Sequence, residues 1–176
     1  MILPIILWDD PVLKIVADEV PSTEFGPDIE RIGMDMIETV KASANGVGLS
    51  GPQVGISKRI FVMAQSSLTK KDDWSYLILV NPVIALSSPS WHGGSTAYGL
   101  EGCLSFPGLY EQVERSNSVT MTYQKPDGEF VHINMAGWDA RIVQHEVDHL
   151  DGIMFFDRIS RQMRKRLMQT WEKKKR

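Results

Sequence analysis

The spacing His145-Glu146-Val147-Asp148-His149 is the most chemically suggestive feature of this chain. Histidines four apart on a helix lie one turn above each other on the same face, and two imidazoles so placed can grip one metal ion. Glu146, beside the first of them, points near the same ion and is placed to act as a base. Ile142, Val143, Val147 and Leu150 surround the pair, and Gly152 follows as a candidate helix stop. A helix over about Gly137 to Leu150 is therefore expected to carry two ligands and a base into a dry interior. By itself the pattern suggests a zinc protease and leaves the third ligand open. The bland alternative is a pair of hydrogen-bonded histidines in a buried helix.

Two other stretches stand out. Cys103 is the single cysteine, so no intramolecular disulfide can form, and taken alone it reads as a small buried hydrophobe. Asn45 to Gly55 holds four glycines and a proline in eleven residues, which predicts a tight preformed loop rather than regular structure. A phosphate-binding loop would be followed by a helix, with Lys and Ser or Thr at fixed offsets. A strand-like run, Arg59 to Ala64, follows instead, and nucleotide binding is rejected. What remains is a backbone brought close to something, with the amide of Gln53 at its end, or else a plain connecting loop.

The elements that must position these residues are read from periodicity. Asp28 to about Ala44 carries Ile29, Ile32, Met36, Ile37 and Val40 at helical spacing, with Asp28 as candidate cap. Tyr76 to Val80 reads as a buried strand ending at Asn81-Pro82. Ser118 to Tyr123 and Phe130 to Ile133, joined by Pro126-Asp127-Gly128, form an expected hairpin that takes His132 as an ordinary sheet residue. Asp10 to Leu13 reads as a turn leading into a short extended segment, and Met1 to Leu7 as an early strand or packing arm. Gln65 to Ser75 and Ser87 to Gly99 read as loops, the second with a solvated His92 beside Trp91. Arg158 to Arg176 reads as a terminal helix with a solvated basic tip.

A chain of 176 residues fits one domain, 1–176, with a substantial core, and 43% apolar with 23% charged residues is ordinary for a soluble protein. The net charge of −3 implies no general attraction to nucleic acid or anionic membrane. No run has the apolar length of a membrane span, and the N-terminus lacks a basic region and a small-residue cleavage site. The cytoplasm is the default expectation, or an organelle if a targeting segment has been removed.

Taken together, the motifs carry a family resemblance. Gly46-Val47-Gly48-Leu49-Ser50-Gly51-Pro52-Gln53, Glu101-Gly102-Cys103-Leu104-Ser105 and Gln144-His145-Glu146-Val147-Asp148-His149-Leu150-Asp151-Gly152 resemble the three motifs of peptide deformylases, in the same order and at fitting spacing. The resemblance runs from Asp10-Pro11-Val12-Leu13 to Asp157. It implies an α+β fold, with small antiparallel sheets packed around a central metal-binding helix and a C-terminal helix over about 158–176. It implies removal of the N-formyl group from N-formylmethionyl nascent polypeptides. Cys103, His145 and His149 would be the metal ligands and Glu146 the general base and acid. The Gln53 amide and the Leu104 N–H would hold the developing oxyanion, and Gly48 would pair with the substrate backbone.

The chemistry fits those residue types. Two neutral imidazoles and one thiolate leave a divalent ion with a net charge near plus one and an open position for water, whose pKa the ion lowers. On the resemblance, Glu146 would take the proton, metal-bound hydroxide would attack the formyl carbon, and Glu146 would protonate the leaving amine, giving formate and a free methionyl N-terminus. The family commonly uses Fe(II), with Ni, Co or Zn able to occupy the site. Val47, Trp138 and Ile142 are candidates for lining a methionine slot, with plain core packing as the alternative. Glu101 and Arg115 are candidates for holding the cysteine segment, and Gln144 or Asp148 for orienting ligands. The partner expected is the formylmethionyl peptide, with no specific nucleic acid or membrane; the chain is expected to be a monomer, and the basic tip leaves room for weak ribosome association.

Ser50-Gly51 stands where many relatives have two alanines, and Tyr110 where bacterial relatives have an arginine near the far end of the substrate. Gly137 to Arg141 is more similar to organellar and some divergent bacterial members. Two rivals stay open: a zinc endopeptidase, which would usually need a third ligand beyond the helix, and a metal-stabilised binding module, which would have no need of Gln53 or Glu146.

Overall fold

The run Ile60-Phe61-Val62-Met63-Ala64 is apolar at every position, which is the pattern of a strand buried on both faces. The computed structural model, which describes residues 1–66, 74–86 and 96–174, places it so. The elements are α1 (Pro27–Ala42), β1 (Gly48–Ser50), β2 (Ile60–Ser66), β3 (Trp74–Leu86), β4 (Thr96–Cys103), β5 (Phe106–Ser116), β6 (Ser118–Gln124), β7 (Phe130–Ala136), α2 (Gly137–Leu150) and α3 (Arg161–Lys174). An antiparallel five-stranded sheet runs β1-β2-β3-β6-β7, and β4 and β5 pair separately as a two-stranded sheet.

Alternation along β2 sets the layering. Phe61 and Met63 face Ile142, Val143, Val147 and Leu150 of α2, while Ile60 and Val62 face Ile29, Met36, Ile37 and Val40 of α1. The five-stranded sheet thus lies between two helices, and burying both faces is what its continuous apolar run requires. A third cluster, rich in aromatics, joins the β4–β5 hairpin to the C-terminal helix: Phe106 stacks on Trp171 with centroids 4.6 Å apart, and Trp8, Phe155, Phe156 and Leu167 close around them. The three clusters give the α+β arrangement expected of the sequence, with α2 central and α3 at the C-terminal end. Among the described residues, no helix is long and apolar enough to cross a membrane.

Several local expectations are corrected. The cap of α1 is Gly26, with Pro27 opening the helix and Asp28 in its first turn, because the fixed backbone of Pro27 sets the start. The turn at Asp10 to Leu13, by contrast, leads into an extended segment as expected: Asp10 accepts from the Val12 N–H at 2.9 Å and caps a 3-10 turn over Pro11–Lys14, after which Ile15 is extended and Asp18 bridges to Lys58. The glycine-rich stretch is not irregular, since Gly48–Ser50 pairs with β2 and Gly51–Val54 forms a 3-10 turn. Strand β3 does not stop at Asn81-Pro82. A register shift between Val80 and Val83 lets it leave β2 and continue against β6, with Asn81 at φ 49° holding the bend through bonds to Val20 N, Val20 O and Gln124 Oε1. Residues 96–99 belong to β4 and not to a loop; Trp91 and His92 lie outside the described residues, as do 67–73 of the expected polar loop. Met1 to Leu7 is a packing arm without strand structure, tied by Ile6 N–H to Gln53 O at 2.8 Å.

Candidate metal centre and active site

Helix α2 ends as the sequence expects. Gly152 adopts φ 71°, Gly152 N–H donates to His149 O and Ile153 N–H to Asp148 O, a Schellman closure that fixes the last turn, and with it His149. A side chain at Gly152 would also meet Lys14 O at 2.7 Å. The helix buries Gln144, Glu146, Asp148 and His149 along with its apolar residues, so a whole set of polar groups sits inside protein. Such groups persist only when each finds a partner.

The third donor comes from the hairpin rather than from beyond the helix. The β4–β5 ladder slips between Gly102 and Cys103, and a bulge of this kind re-aims a side chain. Cys103 Sγ lies 3.2 Å from His149 Nε2, and one donor atom each from Cys103, His145 and His149 all fall within 4.8 Å of one another. Ligands about 2.0–2.3 Å from one ion at a tetrahedral angle stand roughly 3.3–3.6 Å apart, so small rotations of these side chains close the set on a cation. A thiolate with two imidazoles suits a borderline divalent metal. The third donor, Cys103, lies upstream of the helix, unlike the arrangement the endopeptidase alternative would usually need.

Around the donors the polar groups are specified. Glu101 Oε1 accepts from Arg115 Nε at 3.0 Å and Arg141 Nη1 at 2.7 Å; Oε2 accepts from Arg115 Nη2 and His145 Nδ1, both at 3.0 Å. Burial alone would raise the Glu101 carboxyl, but the bonds from His145 and Arg115 outweigh it and hold the group down at about 2. An ionised carboxylate only accepts, so His145 carries its proton on Nδ1 and presents Nε2 to the donor cluster. Burial works to lower His145, yet its bonds to Cys103 and Glu101 prevail and raise it; His149, buried beside it, is pushed down. Asp148 accepts from Arg115 Nη1 at 2.5 Å and from Arg158 Nε at 3.0 Å.

Glu146 is buried, which raises its carboxyl to about 7. Its Oε2 has no hydrogen-bond partner among the described protein groups, and neither does His149 Nδ1. A carboxylate left this way beside three metal-type donors fits a water and a cation better than it fits a structural role. Gly48 explains how Glu146 gets so close to β1: a Cβ there would lie 2.3 Å from Glu146 Oε1. Gln53 is oriented without ambiguity. Its Oε1 accepts from the Ser50 N–H and Oγ–H, both at 2.9 Å, so Nε2 must face Cys103 Sγ at 3.4 Å and Ser105 Oγ at 3.2 Å.

A cavity of about 350 Å³ opens onto this cluster. Its walls bring together Val47, Gly48, Gln53, Cys103, Leu104, Trp138, Ile142, His145 and Glu146, nine of the ten candidates for metal, catalytic and substrate contacts, and the tenth, His149, adjoins Cys103. Ile142 serves core and cavity at once, Val47 packs at the edge of the core, and Trp138 is 51% exposed, which removes plain core packing as its explanation. Tyr110 also lines the cavity, its ring laid over Gly102 so closely that a Cβ there would meet it at 2.4 Å. Gln144 does not orient a ligand: it pins α2 to the end of β5 by exchanging bonds with Ser116 N and O. Sequence reasoning passed over Arg141, Ser50 and Ser105. Arg141 had a signal, an arginine one turn before His145 in an otherwise apolar stretch.

The sequence pattern of the polypeptide deformylase family matches residues 2–165. The chain is 41% identical to the peptide deformylase of Thermotoga neapolitana over 166 residues, covering 92% of each chain, and 40% identical to that of Acidobacterium capsulatum over 160 residues, 91% of this chain and 88% of that one. Among solved structures, the peptide deformylase of Thermus thermophilus superposes with a TM-score of 0.81 at 37% identity, covering 97% of this chain and 93% of that one. A class I type b peptide deformylase from Acinetobacter baumannii, solved with Met-Ala-Ser bound, gives 0.78 at 37% identity, over 90% of this chain and 99% of that one.

Proposed function

The chain belongs to the polypeptide deformylase family, whose members are hydrolases acting on N-formylmethionyl peptides, and from that premise we propose how its own residues remove the formyl group. The observation that carries the reading is the meeting of Glu146 and Gln53 with the Cys103, His145 and His149 donor cluster beside one cavity. Cys103, His145 and His149 would hold one divalent cation, which when bound supplies Lewis acidity to a water and to a carbonyl oxygen. Glu146 accepts the proton of the attacking water; raised by burial toward neutral pH, it is matched both to taking that proton and to returning it.

The water oxygen bonds to the formyl carbon, the carbon–nitrogen bond breaks, and Glu146 delivers its proton to the leaving amine. The products are formate and a free methionyl N-terminus. As charge builds on the formyl oxygen, Gln53 Nε2 and the Leu104 N–H donate to it, and losing one such donor costs about a hundredfold or more. Gly48 pairs with the substrate backbone, and Val47, Trp138 and Ile142 line the slot for the methionine side chain. Iron(II) is the cation proposed in the cell, with nickel, cobalt or zinc able to replace it. The same reading takes residues 1–176 as one domain acting as a monomer in the cytoplasm, with weak ribosome association through the basic C-terminal tip.

Formate release from formyl-Met-Ala-Ser tests the reading, with protein purified without oxygen and compared with Glu146→Ala. Turnover in the parent and near-silence in the variant, with metal still bound, is the expected result. No formate from a fully metallated parent would sink it.

A further inference from the structure

We propose that Arg141 is a positioning residue for the ligand set: it braces α2 against the β4–β5 hairpin and so fixes the distance between Cys103 and the two histidines. The inference rests on the metal-site reading above. The ligands come from two bodies of structure, Cys103 from the end of β4 and the histidines from α2. Whatever holds those bodies together sets the geometry of the donor triangle. The bidentate Glu101–Arg115 pair cannot do it, because both residues belong to the hairpin.

Arg141 stands on the helix one turn before His145 and is 8% exposed. Its Nη1 donates to Glu101 Oε1 at 2.7 Å and to Val113 O at 2.9 Å, and its Nη2 donates to Ala97 O at 2.7 Å. One guanidinium therefore reaches a carboxylate and a carbonyl from each strand of the hairpin. The planar fork of Arg suits this, whereas a lysine ammonium is a point charge on a flexible stem. The strand is shaped to receive it: a Cβ at Gly99 would lie 2.7 Å from Arg141 Cζ and 2.8 Å from Nε.

Glu101 transmits the brace. A carboxylate offers about four lone-pair sites, and Arg115, Arg141 and His145 supply the four hydrogen bonds described above. With Arg141 removed, Oε1 keeps one donor and the carboxylate is free to pivot about Arg115, taking the His145 ring with it. On the other side, Asp148 ties the helix to Arg115, so the two anchors bracket His145 and His149.

Cobalt(II) substitution reads the geometry apart from activity. The parent, Arg141→Met, Arg141→Lys and Gly99→Ala are compared for Co(II) dissociation constant by chelator competition, for the visible spectrum of the Co(II) form, and for thermal midpoint without cation. Arg59→Met, which removes the Arg59–Asp151 pair at the far end of α2, is the control for general weakening. Arg141→Met is expected to weaken Co(II) binding about 10- to 100-fold and to shift the visible bands. Arg141→Lys is expected to recover part of the loss. Gly99→Ala, which displaces the guanidinium without altering any charge, is expected to shift the bands in the same direction. Arg59→Met should keep its dissociation constant within about twofold whatever its midpoint. Parent-like affinity and spectrum in Arg141→Met would overturn the proposal, as would equal weakening in Arg59→Met. If Arg141→Met fails to fold, Arg141→Lys and Gly99→Ala decide alone, parent-like behaviour in both counting against it. Co(II) binding by the parent that survives Cys103→Ser and His145→Ala would instead refute the metal-site reading itself.

Discussion

Replacing Gly48 with alanine should silence the enzyme while leaving its fold almost untouched. The new Cβ would sit 2.3 Å from Glu146 Oε1 and 2.9 Å from its Cδ, against the 3.4 Å at which ordinary contact begins. The carboxylate oxygen must therefore retreat by about 1 Å. Because the atoms it would meet belong to the far end of one flexible side chain, and β1 keeps its ladder to β2, stability should change by no more than about 1 kcal/mol. Chemistry is less forgiving, since a displacement of about 1 Å in a catalytic group can cost on the order of a hundredfold. The expected result is a kcat for formyl-Met-Ala-Ser reduced about a hundredfold, with metal content and thermal midpoint close to the parent. The split between constants matters: a displaced base lowers kcat, whereas a side chain that only obstructs the peptide raises KM. A Gly48→Ala enzyme with kcat within threefold of the parent would show that the close approach of Glu146 to β1 is irrelevant to turnover.

Three further outcomes follow from other contacts. Glu101 is held at about 2 against an ordinary 4.5, so the cation-free protein has its contribution, about 3 kcal/mol, in full above pH 4.5 and loses it as pH falls toward 2. Glu101→Gln should therefore lower the urea midpoint strongly at pH 7 and progressively less toward pH 3; a constant difference between the two proteins would contradict the assignment. Trp138→Ala, at a half-exposed cavity wall, should raise KM for formylmethionyl peptides about five- to thirtyfold, the equivalent of about 1–2 kcal/mol, with kcat within twofold. Trp171→Ala should cost about 3–5 kcal/mol in urea unfolding, because the ring is buried and stacked on Phe106; a loss under 1 kcal/mol would mean that the aromatic cluster contributes little.

The sequence revealed the centre of the molecule better than its periphery, for physical reasons. The helix carrying His145 and His149 was legible to its end residues because periodicity, ligand spacing and the Gly152 stop all agree. The β6–β7 hairpin was legible because alternation and a Pro-Asp-Gly turn agree. Strand β1 was hidden because it is three residues long and set among glycines, and the reason for Gly48 is the closeness of Glu146, a contact between residues far apart in the chain. The hairpin of β4 and β5 was hidden because its outward residues are a mixture of Tyr98, Leu100 and Tyr110 with charges, with no clean alternation. Arg141 escaped notice because an arginine in a helix normally reads as solvated; only its three acceptors, all supplied by distant strands, account for its burial.

The separation of the two sheets bears on how the protein yields under metal limitation. A two-stranded hairpin is marginal in isolation, and among the described residues β4–β5 pairs with no strand of the larger sheet. With the proposed ligands, the bound ion is a crosslink from that hairpin to α2, closing the chain between residues 103 and 145. By mass action each tenfold rise in free metal above the dissociation constant adds about 1.4 kcal/mol of resistance to opening. That increment bears on the hairpin's docking rather than on the pairing of β6 with β7. Metal scarcity would thus act first as local unfastening, exposing Cys103 to oxidants while the larger sheet and its two helices stayed closed.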